Sequence, residues 1–206
     1  MLAAEDDKVK YLRKRLDNLF YCNADIENRL RDDGNQFINT CHDERACNEY
    51  LWPIETVVLI TFRYTMLTAV CTFLEESVKF LCDRSVADYR NKLKACQHGT
   101  WLAKHRQLLA DNTTVDLAAI KAHLDTMEEF VQVRNCIVHE WGRVNGNVDR
   151  IIEIDEKKGA DCCFGKWKDG FLRVTDQAVP TAAIASGRIV NKLLQDLLGL
   201  PGHFVY

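Results

Sequence analysis

The strongest constraint on the fold is a long run of apolar residues at helical spacing in the first half of the chain. Its members recur every three or four residues, which is the period of an α-helix with one buried face. They are Tyr64, Leu67, Cys71, Leu74, Val78 and Leu81, broadened by Phe62, Phe73 and Phe80. Pro53 suits the first turn of this helix, which we expect to run to about Arg84. So wide an apolar face predicts a central helix with other helices packed around it.

Other stretches of the chain share this period and predict an all-α domain. Residues 5–33 form a first helix, and residues 86–110 continue the helical pattern with an interruption near His98-Gly99. A further helix follows the cap cluster at 111–114 and reaches Trp141. The last helix spans 180–198. The length of 206 residues fits a single domain, so residues 1–206 are predicted to share one core.

Residues 143–175 depart from the helical period. Asn145-Gly146 and Asp169-Gly170 are turn signals, and Lys157-Lys158-Gly159 predicts a turn between short strands. The predicted strands are Ile151–Ile154, Cys162–Phe164 and Phe171–Val174. The sequence therefore predicts a helical bundle with a small β-hairpin insertion before the last helix.

Charge and cysteine usage limit the function classes. The net charge of −3 excludes whole-molecule electrostatic binding of nucleic acid, so an RNA-binding cleft would have to be locally basic. Nine cysteines, an odd number, and a start without the apolar core of a signal peptide favour the cytoplasm. Cys41-His42 with Cys47, or Cys96 with His98, lack the spacing of structural zinc ligands. We therefore expect no metal or other cofactor, and no membrane span.

Three polar residues interrupt the apolar sequence at the end of the helix that reaches Trp141. At about 100° per residue, Asn135 and His139 lie on one face about a turn apart, and Arg134 lies about 140° from His139. The long arginine side chain can still reach toward the imidazole. Gly142 is placed to end the helix.

These residue types suit phosphodiester chemistry that needs no metal. His139 can donate or accept a proton near pH 7, Arg134 offers a charged fork for phosphate oxygens, and the Asn135 amide can orient either group. The structural alternative is that Arg134 pairs with a carboxylate and His139 simply lies near a helix end. Glu75, at the edge of the central helix's apolar face, is a candidate carboxylate for Arg134, with Lys79 as its alternative partner.

The segment Arg134-Asn135-Cys136-Ile137-Val138-His139, followed by a glycine, resembles the Arg-x4-6-His signature of the HEPN superfamily (higher eukaryotes and prokaryotes nucleotide-binding domains). The helix from Arg63 to Cys82, with Leu74-Glu75-Glu76 inside it, resembles that family's preceding helix. The resemblance covers roughly residues 50–200. It implies a HEPN-like helical bundle and, in many members, a dimeric metal-independent endoribonuclease of toxin–antitoxin or phage-defence systems.

This resemblance implies roles for individual residues. His139 would be the general acid and base, Arg134 would bind phosphate, and Asn135 would position them. Glu75 would orient Arg134. If the hairpin folds over the motif, Arg143, Lys166 and Lys168 would line an RNA-binding cleft, although solvated hairpin lysines are the commoner case.

The leading expectation is a homodimer that cleaves RNA through 2′-hydroxyl attack, because two copies double the groups around one phosphate. An antitoxin or a defence-system partner protein would fit the family. The alternative is a catalytically inactive HEPN module that dimerises and binds a partner protein, nucleotide or RNA.

Overall fold

The computed structural model describes residues 2–40, 57–96 and 99–200. The α-helices among them are α1 Leu2–Thr40, α2 Leu59–Ser85, α3 Tyr89–Ala95, α4 Trp101–Asn112, α5 Lys121–Glu140, α6 Gly146–Asp155 and α7 Ala178–Leu198. The strands β1 Phe164–Lys166 and β2 Leu172–Val174 form an antiparallel hairpin before α7. The predicted all-α class with a small hairpin is confirmed. The predictions for Pro53, Cys41, His42, Cys47 and His98 lie outside the described residues.

Helix α2 lies at the centre of the bundle and packs against α1, α4, α5, α7 and β2. The apolar face predicted from its sequence is the buried one: Leu67, Phe73, Leu74 and Leu81 are each 0% exposed. Full burial of one such side chain stabilises the fold by about 1.5–3 kcal/mol. The helical period of this stretch therefore determines both the central element and the surface that its neighbours cover.

A buried ion pair joins α1 to α2 and to the hairpin. The Arg63 guanidinium donates from Nε and Nη2 to the two Glu27 carboxylate oxygens at 2.6 and 2.7 Å, and from Nη1 to the Val174 carbonyl at 3.2 Å. Helix α1 also continues beyond the predicted end near Gly34, which is buried inside the helix. The weak helix propensity of glycine therefore does not end the helix at this position.

The prediction of a strand at Ile151–Ile154 is wrong, because these residues belong to α6. Asn145, predicted to form a turn, caps this helix by accepting a hydrogen bond from the Val148 N–H. The buried residues of α6 are Val148, Ile151, Ile152 and Asp155, which follow helical spacing. A short apolar run does not distinguish a strand from one face of a helix.

Asp155 ends α6 in the core and positions the start of the hairpin. Its Oδ2 accepts hydrogen bonds from the backbone N–H groups of Cys163 and Phe164, at 2.5 and 2.7 Å, and its Oδ1 accepts from Lys158 Nζ at 2.6 Å. The hairpin turns at Gly170, whose φ is +85°. The Asp169-Gly170 turn and the second strand were predicted, whereas the first strand begins at Phe164, where the predicted strand ends.

Candidate functional site

The polar motif lies at the carboxyl end of α5, as its sequence position predicts. The helix stops at Glu140, and Trp141 already has a left-handed conformation with φ 55°. Gly142 follows with φ 77°, and its N–H donates to the Cys136 carbonyl at 3.1 Å. The helix therefore ends one residue before the position that a cap at Gly142 would give. The first left-handed residue, whose conformation is strained for any residue with a side chain, is Trp141.

Gly142 fits a position that has no room for a side chain. A Cβ on this residue would lie 2.8 Å from the Tyr64 hydroxyl oxygen of α2. The same hydroxyl donates to the Leu172 carbonyl of β2 at 2.5 Å, and the Leu172 N–H donates to the Gly142 carbonyl at 2.8 Å. These contacts hold the end of the motif helix against α2 and the hairpin.

Arg134 and Asn135 are brought together by the structure. Arg134 Nη1 donates to Asn135 Oδ1 at 3.0 Å, and both side chains are half-buried. Burial raises the pKa of the Cys71 thiol on α2 to about 12, while the nearby Arg134 charge acts to lower it and the Glu75 charge to raise it. The guanidinium is thus positioned at the junction of α5 and α2 by a neutral amide neighbour.

His139 is exposed near the end of the same helix. Across the described ranges, no hydrogen bond or ion pair involves its imidazole, and none joins it to Arg134 or Asn135. Its neighbours Val138 and Trp141 are 43% and 86% exposed. The end of α5 therefore presents an imidazole between apolar surfaces that the described chain leaves uncovered.

Glu75 has a different partner from the predicted one. Its carboxylate pairs with Lys79, which follows it by one helical turn on α2. Within residues 57–96 and 99–200, no ion pair or hydrogen bond joins Glu75 to Arg134. The spacing of four residues places the ammonium directly above the carboxylate, so the intrahelical partner prevails. The pair of Glu75 with Lys79, which the sequence left open as the alternative, is the one that this chain forms.

The hairpin folds against the motif end, as its predicted role requires. The Val144 N–H donates to the Gly170 carbonyl at 3.1 Å, and the backbones of Arg143 and Phe171 form an isolated antiparallel β-bridge. The Arg143 guanidinium carbon lies 5.6 Å from the centroid of the Phe171 ring. Lys166 pairs with Asp149 at 2.7 Å, whereas Lys168 is exposed. The three predicted RNA-binding residues therefore differ in whether their charge is available to a ligand, because a carboxylate already neutralises Lys166.

A cavity of about 590 Å³ lies between the hairpin and the start of α2. We call it the hairpin cavity, and its lining residues are Val57, Ile60, Tyr64, Trp167, Lys168, Asp169, Phe171 and Leu172. No pattern in the sequence predicts this cavity. The available signal was the pair of aromatic residues on either side of the Asp169-Gly170 turn, but their neighbour Tyr64 is about a hundred positions away.

Comparison of the chain with protein-family models, curated proteins and solved structures finds no match in any of the three. Among the described residues, no three histidine, cysteine, aspartate or glutamate side chains are grouped as a metal site. No helix in the described ranges is both long enough and apolar enough to cross a membrane. The function must therefore be inferred from the motif and its surroundings.

Proposed function

We propose that this protein is a metal-independent endoribonuclease of the HEPN type, acting as a homodimer in a cytoplasmic toxin–antitoxin or phage-defence system. The observation that carries the proposal is the end of α5, where the Arg134–Asn135 pair lies one turn before an exposed His139. An arginine without a carboxylate partner keeps its charge available for a phosphate. An exposed imidazole can exchange protons with a ligand.

The reaction would use the ribose 2′-hydroxyl as nucleophile. His139 removes its proton or protonates the leaving 5′-oxygen, depending on its protonation state. The 2′-oxygen attacks the neighbouring phosphorus, and the bond to the 5′-oxygen breaks. Arg134 stabilises the additional negative charge on the phosphoryl oxygens in the transition state. The products would carry a 2′,3′-cyclic phosphate and a 5′-hydroxyl.

A dimer is part of the proposal because of what surrounds His139. Val138 and Trp141 expose apolar surface on either side of it, and exposed apolar patches mark association sites. A two-fold axis near this surface would bring two imidazoles and two guanidinium groups around one phosphate. The separation of Arg134 from His139 within one chain would then be bridged by the partner's copy of the motif.

The proposal is tested with purified protein and single-stranded RNA in excess EDTA. Wild-type protein should cut the RNA and leave 2′,3′-cyclic phosphate ends. His139→Ala should slow cleavage by about 10²–10⁴-fold, the usual contribution of a general acid or base. His123→Ala is the matched control, because His123 lies near the opposite end of α5. Metal-dependent cleavage with 5′-phosphate ends, or full activity of folded His139→Ala, would contradict the proposal.

A catalytically inactive binding module is the second candidate. It is favoured by one observation: within the described chain, Arg134 hydrogen-bonds only to Asn135, and neither residue hydrogen-bonds to His139. Light scattering separates the two functions when it is combined with the cleavage assay. A dimer that Trp141→Ser dissociates, with no cleavage of any RNA by the wild type, supports the inactive module. A strictly monomeric wild-type protein counts against both.

A further inference from the structure

We propose that the hairpin cavity binds one unpaired base of a single-stranded RNA. The inference rests on the proposed ribonuclease function and adds a substrate class to it, because a base is free to enter a cavity only when it is not paired in a duplex. Its evidence is separate from the Arg134-Asn135-His139 motif, since it comes from the walls of the cavity and from its place beside the motif.

The cavity has the size and walls of a site for a planar ring. Its volume of about 590 Å³ is within the usual range for small-molecule sites, about 300–1,000 Å³. Tyr64, Trp167 and Phe171 contribute aromatic rings to its lining, and Val57 and Ile60 contribute aliphatic surface. Aromatic side chains on which bases stack are the general means of holding single-stranded nucleic acid, because every base has a π-face.

Charged and polar groups at the same cavity match the rest of a nucleotide. Lys168 is exposed in its lining, where an ammonium can pair with a backbone phosphate. The adjacent Asp169 carboxylate can accept hydrogen bonds from a base edge. The Trp167 indole N–H is buried and, among the described residues, has no hydrogen-bond acceptor. An apolar ligand would leave these groups unused, whereas a nucleotide offers both an anion and hydrogen-bonding edges.

The cavity is joined directly to the end of the motif helix. Tyr64 is in its wall, and the Tyr64 hydroxyl lies against the Gly142 backbone. Leu172, also in the wall, donates its N–H to the Gly142 carbonyl. Gly142 is three residues after His139, so the two Cα atoms are at most about 11 Å apart. A base held in the cavity would therefore belong to a nucleotide near the phosphate at His139.

The test measures binding without cleavage. A fluorescein-labelled 2′-O-methyl RNA hexanucleotide lacks the free 2′-hydroxyl and cannot be cut by the proposed reaction. Its dissociation constant is measured by fluorescence anisotropy for the wild type and for Ile60→Trp, which places a bulky side chain in the part of the cavity where a base would lie. Ile154→Trp is the matched control, because Ile154 is an exposed isoleucine on α6 outside the cavity lining. Ile60→Trp should bind about tenfold more weakly, the loss of one stacked base, and Ile154→Trp should bind normally.

An abasic version of the oligonucleotide connects the loss to a base. Scanning one abasic site along the hexanucleotide should reveal a position that costs wild-type protein about tenfold in affinity. The same abasic oligonucleotide should cost Ile60→Trp nothing further, because the introduced side chain already occupies the place of the base. Lys168→Ser, at an exposed position, should weaken binding and reduce its salt dependence. This variant keeps the proposal testable if Ile60→Trp fails to fold.

Three results would overturn the proposal. One is normal binding by folded Ile60→Trp, and another is equal weakening by Ile154→Trp. The third is dissociation of the dimer by Ile60→Trp, seen by light scattering, which would assign the cavity to Trp141 of a second copy. Failure of the ribonuclease function is a separate outcome. Wild-type protein that binds through the cavity and cuts no RNA refutes catalysis alone, whereas active protein with normal Ile60→Trp binding refutes the cavity alone.

Discussion

Arg63 and Arg134 are both arginines inside apolar helical sequence, yet their surroundings differ. Arg63 is 15% exposed, its fork is occupied by both Glu27 oxygens, and its remaining amine bonds the Val174 carbonyl. Arg134 bonds the neutral amide of Asn135, and in the described chain no carboxylate lies within ion-pair distance. A neutralised, saturated guanidinium holds elements together. A guanidinium that keeps its charge can bind an external anion.

Two histidines show the same contrast. His105 is buried, with its Nδ1 donating to the Trp101 carbonyl and its Nε2 accepting from the Tyr89 hydroxyl, both at 2.7 Å. His139 is exposed and has no such partners in the part of the chain that the structure describes. Completed hydrogen bonding therefore marks Arg63 and His105 as structural, and its absence marks Arg134 and His139 as candidate site residues.

The largest expected effect comes from breaking the structural arginine's pair. Glu27→Gln keeps the shape of the side chain but leaves the buried Arg63 charge without its anion. Removing one partner of a buried pair costs about 3–5 kcal/mol of the free energy of unfolding. Urea denaturation measures this loss. Glu76→Gln is the control, because Glu76 pairs with Arg15 on the surface and such pairs contribute about 0–1 kcal/mol. Equal losses for the two variants would contradict the structural assignment of Arg63.

The candidate-site arginine should respond in the opposite way. Arg134→Lys keeps the charge but loses the fork, so RNA cleavage should slow by about 10²–10³-fold, as when one transition-state donor is removed. Its urea midpoint should remain close to that of the wild type. Arg63→Lys is the matched substitution, and it should lower the midpoint far more. A stability loss for Arg134→Lys as large as that for Arg63→Lys would remove the distinction between the two residues.

Much of this fold follows from the sequence alone. The apolar face of α2 identifies the central helix, and Asp169-Gly170 with the strand that follows it identifies the hairpin. What could not be predicted depends on competition between distant segments. Helix α1 runs through the buried Gly34 to Thr40, and Ile151–Ile154 lies in a helix. A four-residue run with three isoleucines fits both periods, so local sequence does not decide between them.

The candidate site was predictable in position and less so in its contacts. Arg134, Asn135 and His139 lie near a helix end, because spacing along one helix fixes their relation. Glu75 had two candidate cations, and the one on its own helix prevails through its spacing of four residues. The hairpin cavity joins Tyr64 to residues about a hundred positions later, and only tertiary structure creates that proximity.

Burial of His105 predicts a pH dependence of stability. Burial lowers the pKa of His105 below its ordinary value of about 6.5, with Lys79 acting in the same direction against the Trp101 hydrogen bond and Glu75. The unfolded chain therefore gains protons first as the pH falls. His105 should contribute stability that is complete above pH of about 6.5 and is lost below it.

Urea denaturation from pH 8 to pH 5 tests this sign. The pKa of His123 is also lowered, by burial and by Arg188, so it adds a loss in the same direction. The test therefore compares the pH dependence of the free energy of unfolding of the variant with that of the wild type. His105→Gln should flatten the fall in the free energy of unfolding. A steeper fall in His105→Gln would show that the buried imidazole is protonated in the folded state.

The smallest effect is expected at Glu75. Its carboxylate pairs with Lys79 at spacing i, i+4, and such pairs contribute only about 0.3–0.5 kcal/mol. Glu75→Gln should therefore shift the urea midpoint only slightly and leave RNA cleavage near the wild-type rate, and Lys79→Gln should behave alike. If Glu75 oriented Arg134 instead, Glu75→Gln would slow cleavage in parallel with Arg134→Lys, and Lys79→Gln would not. That difference between the two variants would show that Arg134 has a carboxylate partner in the active assembly. Arg134 would then resemble Arg63, because the charge of its guanidinium would already be compensated.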